Sequence, residues 1–104
     1  QETETSSLGD VDVYVAVIGD GLVPKGLALA EAIRAAGVRV LVETEGRSMK
    51  AQMRTADKCG AAFACILGES EAAEGTLVCK DMRGSVQETV DQADAAAWIK
   101  ARLG

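Results

Sequence analysis

Histidine is absent from the 104-residue chain, which removes Ser-His-Asp and Cys-His nucleophilic catalysis and most zinc chemistry. The three cysteines, Cys59, Cys65 and Cys79, are an odd number without CxxC spacing, so neither a disulfide framework nor a zinc cage is expected. They read as reduced, buried thiols. Cys59, next to Lys58 at the end of a predicted helix, is the one thiol with a helix-flanked activating partner, and it too reads as structural. No stretch approaches the roughly 20 apolar residues of a membrane span, and no basic, then apolar, then small-residue pattern opens the chain. A soluble, unexported, cytoplasmic protein is expected, with no membrane partner. One Trp, one Tyr and one Phe provide no stacking platform for several bases. The first residue is Gln1 and not Met, so the chain is expected to be a piece of a longer polypeptide.

What is present suffices for a core. Apolar residues make up 48% and charged residues 26% of the chain, the balance of one globular domain. A catalytic domain plus a substrate domain will not fit at this length. Residues 1–9, QETETSSLG, are polar and without periodicity, which predicts a disordered linker or tail ahead of a domain spanning 10–104. Val11–Ile18 (VDVYVAVI) has the β-branched run of a strand covered on both faces. Gly19-Asp20-Gly21 makes a loop, and Pro24 fits the first turn of a helix ending near Ala36. Leu29, Ile33 and Ala36 face inward, and Gly37 stops the helix.

Val38–Val42 predicts a second, parallel strand, Ser48–Lys58 a second helix and Ala61–Leu67 a third strand. Glu69–Glu74 has the length and composition of a helical turn. Thr76–Met82 reads as a strand, and Arg83-Gly84-Ser85 as a tight turn into an antiparallel partner over Ser85–Val90. Asp91 would cap a last helix whose inward face carries Ala95, Ile99 and Leu103. The expected architecture is an α/β domain: a mixed sheet of about five strands with helices on both faces.

The net charge of −5 taken alone argues against nucleic acid, DNA included, but its distribution is uneven. Residues 1–45, 46–58 and 59–104 carry −5, +3 and −3. On a helix, Arg47, Lys50, Arg54 and Lys58 fall within an arc of about 80°, with Met49, Met53 and Ala56 on the opposite, buried side. The helix N-terminus after Gly46 would also turn backbone N–H groups toward an anion. On charge alone, such a row is more often the solvated face of an amphipathic helix than a binding site. Any nucleic-acid readout has to rest on polar side chains and shape.

The segment GRSMKAQMRTADKCGAAFACILGESE, Gly46–Glu71, closely resembles the anticodon-binding domain of histidyl-tRNA synthetases, a class II aminoacyl-tRNA synthetase family. The features that carry the resemblance are Gly46-Arg47-Ser48, Lys50-Ala51-Gln52, Ala56-Asp57-Lys58 and Gly68-Glu69-Ser70-Glu71. With the VAVIGDG opening and Gly75–Asp81 it covers about Val11–Val90. The resemblance implies a three-layer α/β/α sandwich with a mixed five-stranded sheet. It also implies an anticodon-facing set of Glu43, Arg47, Lys50, Gln52 and Arg54. In that set Arg47 and Gln52 would meet base edges, Lys50 and Arg54 phosphates, and Glu43 a base amino or imino group, with Lys58 a further candidate phosphate contact.

The implied partners are the anticodon loop of histidine tRNA and the catalytic core of a parent enzyme, itself expected to be a homodimer. The parent would use ATP and magnesium to attach histidine to tRNA. The domain itself would hold no cofactor, metal or catalytic residue, because nothing in it resembles the class II catalytic motifs.

Two other readings fit parts of the sequence. Gly19-x-Gly21 and Glu43 imitate a dinucleotide-binding fingerprint, but Pro24 stands at the third glycine, Gly26 comes two positions late, and the second βαβ half is missing. A synthetase-like regulatory or tRNA-sensing module without aminoacylation activity would keep the same residues. Glu69, Glu71 and Glu74, three acids in a loop, read as a solvated turn and not as a metal site.

Overall fold

The computed structural model describes residues 11–19, 21–82, 84 and 86–103. The expected tail, Asp10 and Asp20, Arg83 and Ser85 of the last turn, the side chain of Leu103, and Gly104 lie outside the described residues. Five strands, β1 (Val13–Ile18), β2 (Val40–Val42), β3 (Phe63–Gly68), β4 (Thr76–Asp81) and β5 (Gln87–Asp91), and four helices, α1 (Val23–Arg34), α2 (Met49–Lys58), α3 (Glu69–Glu74) and α4 (Ala95–Leu103), follow one another as βαβαβαββα. They form one sheet in the order β2-β1-β3-β4-β5. β1 pairs parallel with both β2 and β3, and β3–β4 and β4–β5 are antiparallel. The expected mixed five-stranded α/β architecture is present.

Period-two alternation sorts the strand side chains onto two faces. Val13, Val15 and Val17 of β1, Phe63, Cys65 and Leu67 of β3 and Leu77 and Cys79 of β4 join Leu29, Ala30 and Ile33 of α1 and Ala95 and Ile99 of α4 in the larger core. Tyr14, Ala16 and Ala64 face the other way, onto Ala56 of α2 and the following Cys59 and Ala61. Gly26 explains how closely α1 lies on the sheet: a Cβ there would come within 2.7 Å of Val17 Cγ2. It does the close-packing work that the third glycine of a dinucleotide fingerprint does.

The helices are therefore unequally shared. α1 and α4 cover one face, and α2 alone covers the other. Beyond α2 that second face continues over Val78, which is partly buried, to Thr89 and Gln87, which are exposed. At the far edge Trp98 of α4 meets Phe63 edge-on at 5.4 Å, donates from Nε1 to Glu88, and lies under Arg102. All three cysteines are free and buried. Cys59 donates to the Ala56 carbonyl at 3.5 Å, and burial raises its thiol.

Most element boundaries fall within two residues of expectation. Asp91 differs: it ends β5 opposite Thr76, its side chain caps nothing, and a 3-10 turn over Gln92–Asp94 precedes α4. Gln92 anchors that turn by donating to the carbonyls of Glu71 and Thr76. Among the described residues no helix is long and apolar enough to cross a membrane.

Candidate nucleic-acid interface

The carboxyl ends of β1, β2 and β3 emerge at one edge of the sheet, the edge where open α/β sheets place their ligands, and the N-terminus of α2 stands over it. Ser48 caps that helix, its hydroxyl accepting from the Ala51 N–H at 3.2 Å. One of the N–H groups expected to face an anion is thereby spent.

Arg47 is thus outside the helix, one residue before the cap, and does not extend the cationic row. Its guanidinium folds back onto Glu43: Nη2 lies 2.6 Å from Oε1, and Nε donates to both carboxylate oxygens at 3.2 and 3.3 Å. Glu43 is only 3% exposed. It also accepts from the Tyr14 hydroxyl at 2.6 Å and from the Glu45 N–H at 2.9 Å. The Arg47 hydrogen bonds, together with those of Tyr14 and the backbone, hold its carboxyl down at about 2 despite burial. Burial, with Glu43 next in weight, pushes the Tyr14 phenol well above its ordinary range, and Glu43 raises Arg47.

Gln52 overturns its expected role. It is fully buried, at 0% exposure, and its amide bonds only main chain. Oε1 accepts from the Val17 N–H at 2.9 Å, while Nε2 donates to the carbonyls of Val17 at 2.9 Å and Arg47 at 2.6 Å. The reason is the shortness of β2, whose register with β1 stops at Val15. Val17 therefore turns a buried N–H and C=O toward an edge with no strand, and the Gln52 amide supplies the missing donor and acceptor. With both Nε2 hydrogens spent and the side chain fully buried, Gln52 has no access to a base edge. Glu43, likewise expected to accept from a base, has spent its oxygens on Tyr14, Arg47 and Glu45. A carboxylate so engaged offers nothing to a ribose hydroxyl either, which counts against the dinucleotide reading.

Lys50, Arg54 and Lys58 do form a ridge. All three are exposed, recur every fourth residue, and have no ion pair among the described residues. At about 100° per residue they span an arc of about 80°, opposite the buried Gln52 and Ala56. Asp57 is the acid on the same outer side.

Met49, expected to be buried, is 40% exposed. It lies at the flank of α2, beside a hollow of about 530 Å³ whose walls include Ile18, Ile66 and Val78, with Glu69 and Gln87 supplying polar groups. This hollow occupies the uncovered part of the second sheet face. A smaller one of about 260 Å³ lies on the other flank, between the end of β2 and Thr55. Glu71 serves the backbone here, accepting from the Gly68 N–H at 2.9 Å.

Tyr14 is the member of this network that the sequence does not single out. Its one signal was a phenol in the middle of an otherwise aliphatic strand, since a buried hydroxyl needs a partner. The other two aromatics, Phe63 and Trp98, lie on the far face, so no stacking platform adjoins the ridge.

The chain is similar to known proteins along most of its length. A family model described as "Anticodon binding domain" matches residues 12–102. A curated histidine–tRNA ligase of Solidesulfovibrio magneticus is 49% identical over 79 residues, covering 76% of this chain and 19% of that protein. Among solved structures, histidyl-tRNA synthetase from Nostoc sp. PCC 7120 superposes with a TM-score of 0.85 at 36% identity, over 91% of this chain and 23% of that one. The RNA binding domain of threonyl-tRNA synthetase from Cryptosporidium parvum shares the fold, with a TM-score of 0.80 at 14% identity, over 88% and 23%. The chain spans about a fifth of the curated relative's length.

Proposed function

The chain belongs to the anticodon binding domain family, and from that premise we propose that it is the anticodon-binding part of a histidine–tRNA ligase that meets the anticodon loop of histidine tRNA along α2. The observation that carries this is the ridge of Lys50, Arg54 and Lys58, three exposed cations with no ion pair among the described residues, in a chain of net charge −5. It stands between two hollows at the carboxyl ends of the parallel strands. Phosphates of an unpaired loop would run along the ridge, since side chains of this kind neutralise a backbone without reading sequence. The larger hollow, apolar on its walls and polar at Glu69 and Gln87, suits an unstacked base, which needs an apolar surface for its face and hydrogen-bonding groups for its edge.

In the parent, this domain would supply affinity and anticodon discrimination. A catalytic core would bind ATP and magnesium and join histidine to the tRNA, in the cytoplasm and in a homodimer. The 49% identity to a histidine–tRNA ligase supports the choice of amino acid. Titrating the chain with a stem-loop carrying the histidine anticodon, and with the same stem bearing a scrambled loop, tests the reading. Tighter binding of the first is expected, and equal affinity for both would refute anticodon recognition.

A further inference from the structure

We infer that Tyr14 is a positioning residue which, with Glu43, turns Arg47 into a fixed, charge-neutral donor for the acceptor edge of an unstacked nucleobase. The inference rests on the RNA-binding reading above and deepens it. Arg47 is held at both ends. Its carbonyl accepts from Gln52 Nε2 at 2.6 Å, and Nε and Nη2 of its guanidinium are bound to Glu43. The Tyr14 hydroxyl donates to Glu43 Oε1 at 2.6 Å, which leaves its lone pair to accept from Arg47 Nη2 at 3.4 Å.

These bonds account for Nε and Nη2. Nη1, with two N–H bonds, has no partner among the described residues, and the side chain is 41% exposed. It sits beside the smaller hollow, which Tyr14, Glu43 and Arg47 all line.

Two consequences separate Arg47 from its neighbours on α2. The Glu43 carboxylate cancels its charge at 2.6 Å, so a phosphate gains little from approaching the pair, whereas Lys50 and Arg54 offer whole charges. Its direction is also set before any ligand arrives, so less side-chain freedom is lost on binding. A neutral acceptor on a base, a carbonyl oxygen or ring nitrogen, is recognised by direction and not by charge. Tyr14 never touches RNA in this scheme, because it is buried in the core under α2.

The experiment measures affinity for the histidine-anticodon stem-loop across a salt series for the wild-type chain, Tyr14→Phe, Arg47→Ala and the double variant. Tyr14→Phe keeps the ring and removes only the hydroxyl, and is expected to weaken binding about threefold to tenfold, the loss of one net hydrogen bond. In the Arg47→Ala background the same change should add nothing, because Tyr14 acts through Arg47. Arg47→Ala should weaken binding with the salt slope unchanged. Additive losses, or a slope reduced by about 0.7 as for a phosphate contact, would overturn the inference.

Arg47→Lys carries the same test if Tyr14→Phe does not fold: lysine keeps the charge but not the fork, and full retention of affinity would again overturn it. Side-chain NMR of Arg47 without RNA reads the locking directly. A slowly exchanging Nε–H is expected in the wild type and lost in Tyr14→Phe, and an unchanged signal overturns the positioning role whatever the RNA does. A locked signal beside an absent wild-type titration would instead refute the RNA-binding reading, leaving Arg47 no base to meet.

Discussion

The lip of the site and the ridge above it share the segment Glu43–Lys58, joined at the lip by Tyr14 of β1, yet they handle polar groups in opposite ways. At the lip, Tyr14, Glu43, Arg47 and Gln52 spend nearly all their hydrogen-bonding capacity on one another and on the main chain of β1. On the ridge, Lys50, Arg54 and Lys58 spend none among the described residues. A saturated network fixes geometry and is costly to break, because each severed bond strands a buried partner. An open cation costs nothing to remove from the fold and is felt only by a ligand. Stability and binding are thus separable along Glu43–Lys58, and substitution can pull them apart.

The largest effect is expected at Gln52. Gln52→Ala deletes three hydrogen bonds and leaves the Val17 N–H, the Val17 carbonyl and the Arg47 carbonyl to water or to nothing. The cost is about 3–5 kcal/mol of unfolding free energy in a urea titration, from about 1–3 kcal/mol per stranded buried group. A loss below about 1 kcal/mol would mean that β1 does not depend on this amide.

Glu43 comes next and adds a pH signature. Its folded carboxyl titrates at about 2 against an ordinary value of 4.5. A depressed folded value stabilises the protein fully above the unfolded value and loses that contribution as pH falls through the folded one. Stability should therefore decline from about pH 5 down to about pH 2 by roughly 2–3 kcal/mol. Glu43→Gln should flatten that decline and lower stability at neutral pH. A decline of the same size in Glu43→Gln would assign the acid sensitivity to other carboxylates.

The layout of the domain was legible because each step of it is local. β-branched runs, a proline at a helix start and glycines at the stops mark βαβαβ, and Lys50, Arg54 and Lys58 announce their ridge by spacing alone. The lip was not legible in the same way. Gln52 looks like any polar residue near a helix start. It is recruited inward only because β2 ends at Val42, two residues short of reaching Val17, and the sequence VRVLVETE shows no such stop. Arg47 fits a helical row by number, but Ser48 takes the cap and leaves it in the loop, within reach of Glu43. Met49 was misplaced for a related reason: helical periodicity locates the buried stripe of α2 but not how far the sheet beneath it is covered. Asp91 has the chemistry of a cap, and pairing with Thr76 prevailed over it.

The smallest effect on the fold, and the cleanest on binding, belongs to the ridge. Lys50→Ala, Arg54→Ala and Lys58→Ala should each change stability by less than about 0.5 kcal/mol, since an exposed cation without a partner contributes little to the native state. Each should instead weaken binding of a single-stranded loop and reduce the slope of log K against log salt by about 0.7, from about −2 when all three are present. The three losses should be nearly equal and additive, because phosphates along a loop are interchangeable to a point charge. Unequal slopes would identify which cations the backbone passes, and an unchanged slope in all three variants would detach RNA from this face of α2. Asp57→Asn supplies the opposite sign. Removing the acid beside the ridge raises the local potential and should tighten binding modestly at low salt, an advantage that fades as the Debye length shrinks from about 30 Å at 0.01 M to about 8 Å at 0.15 M.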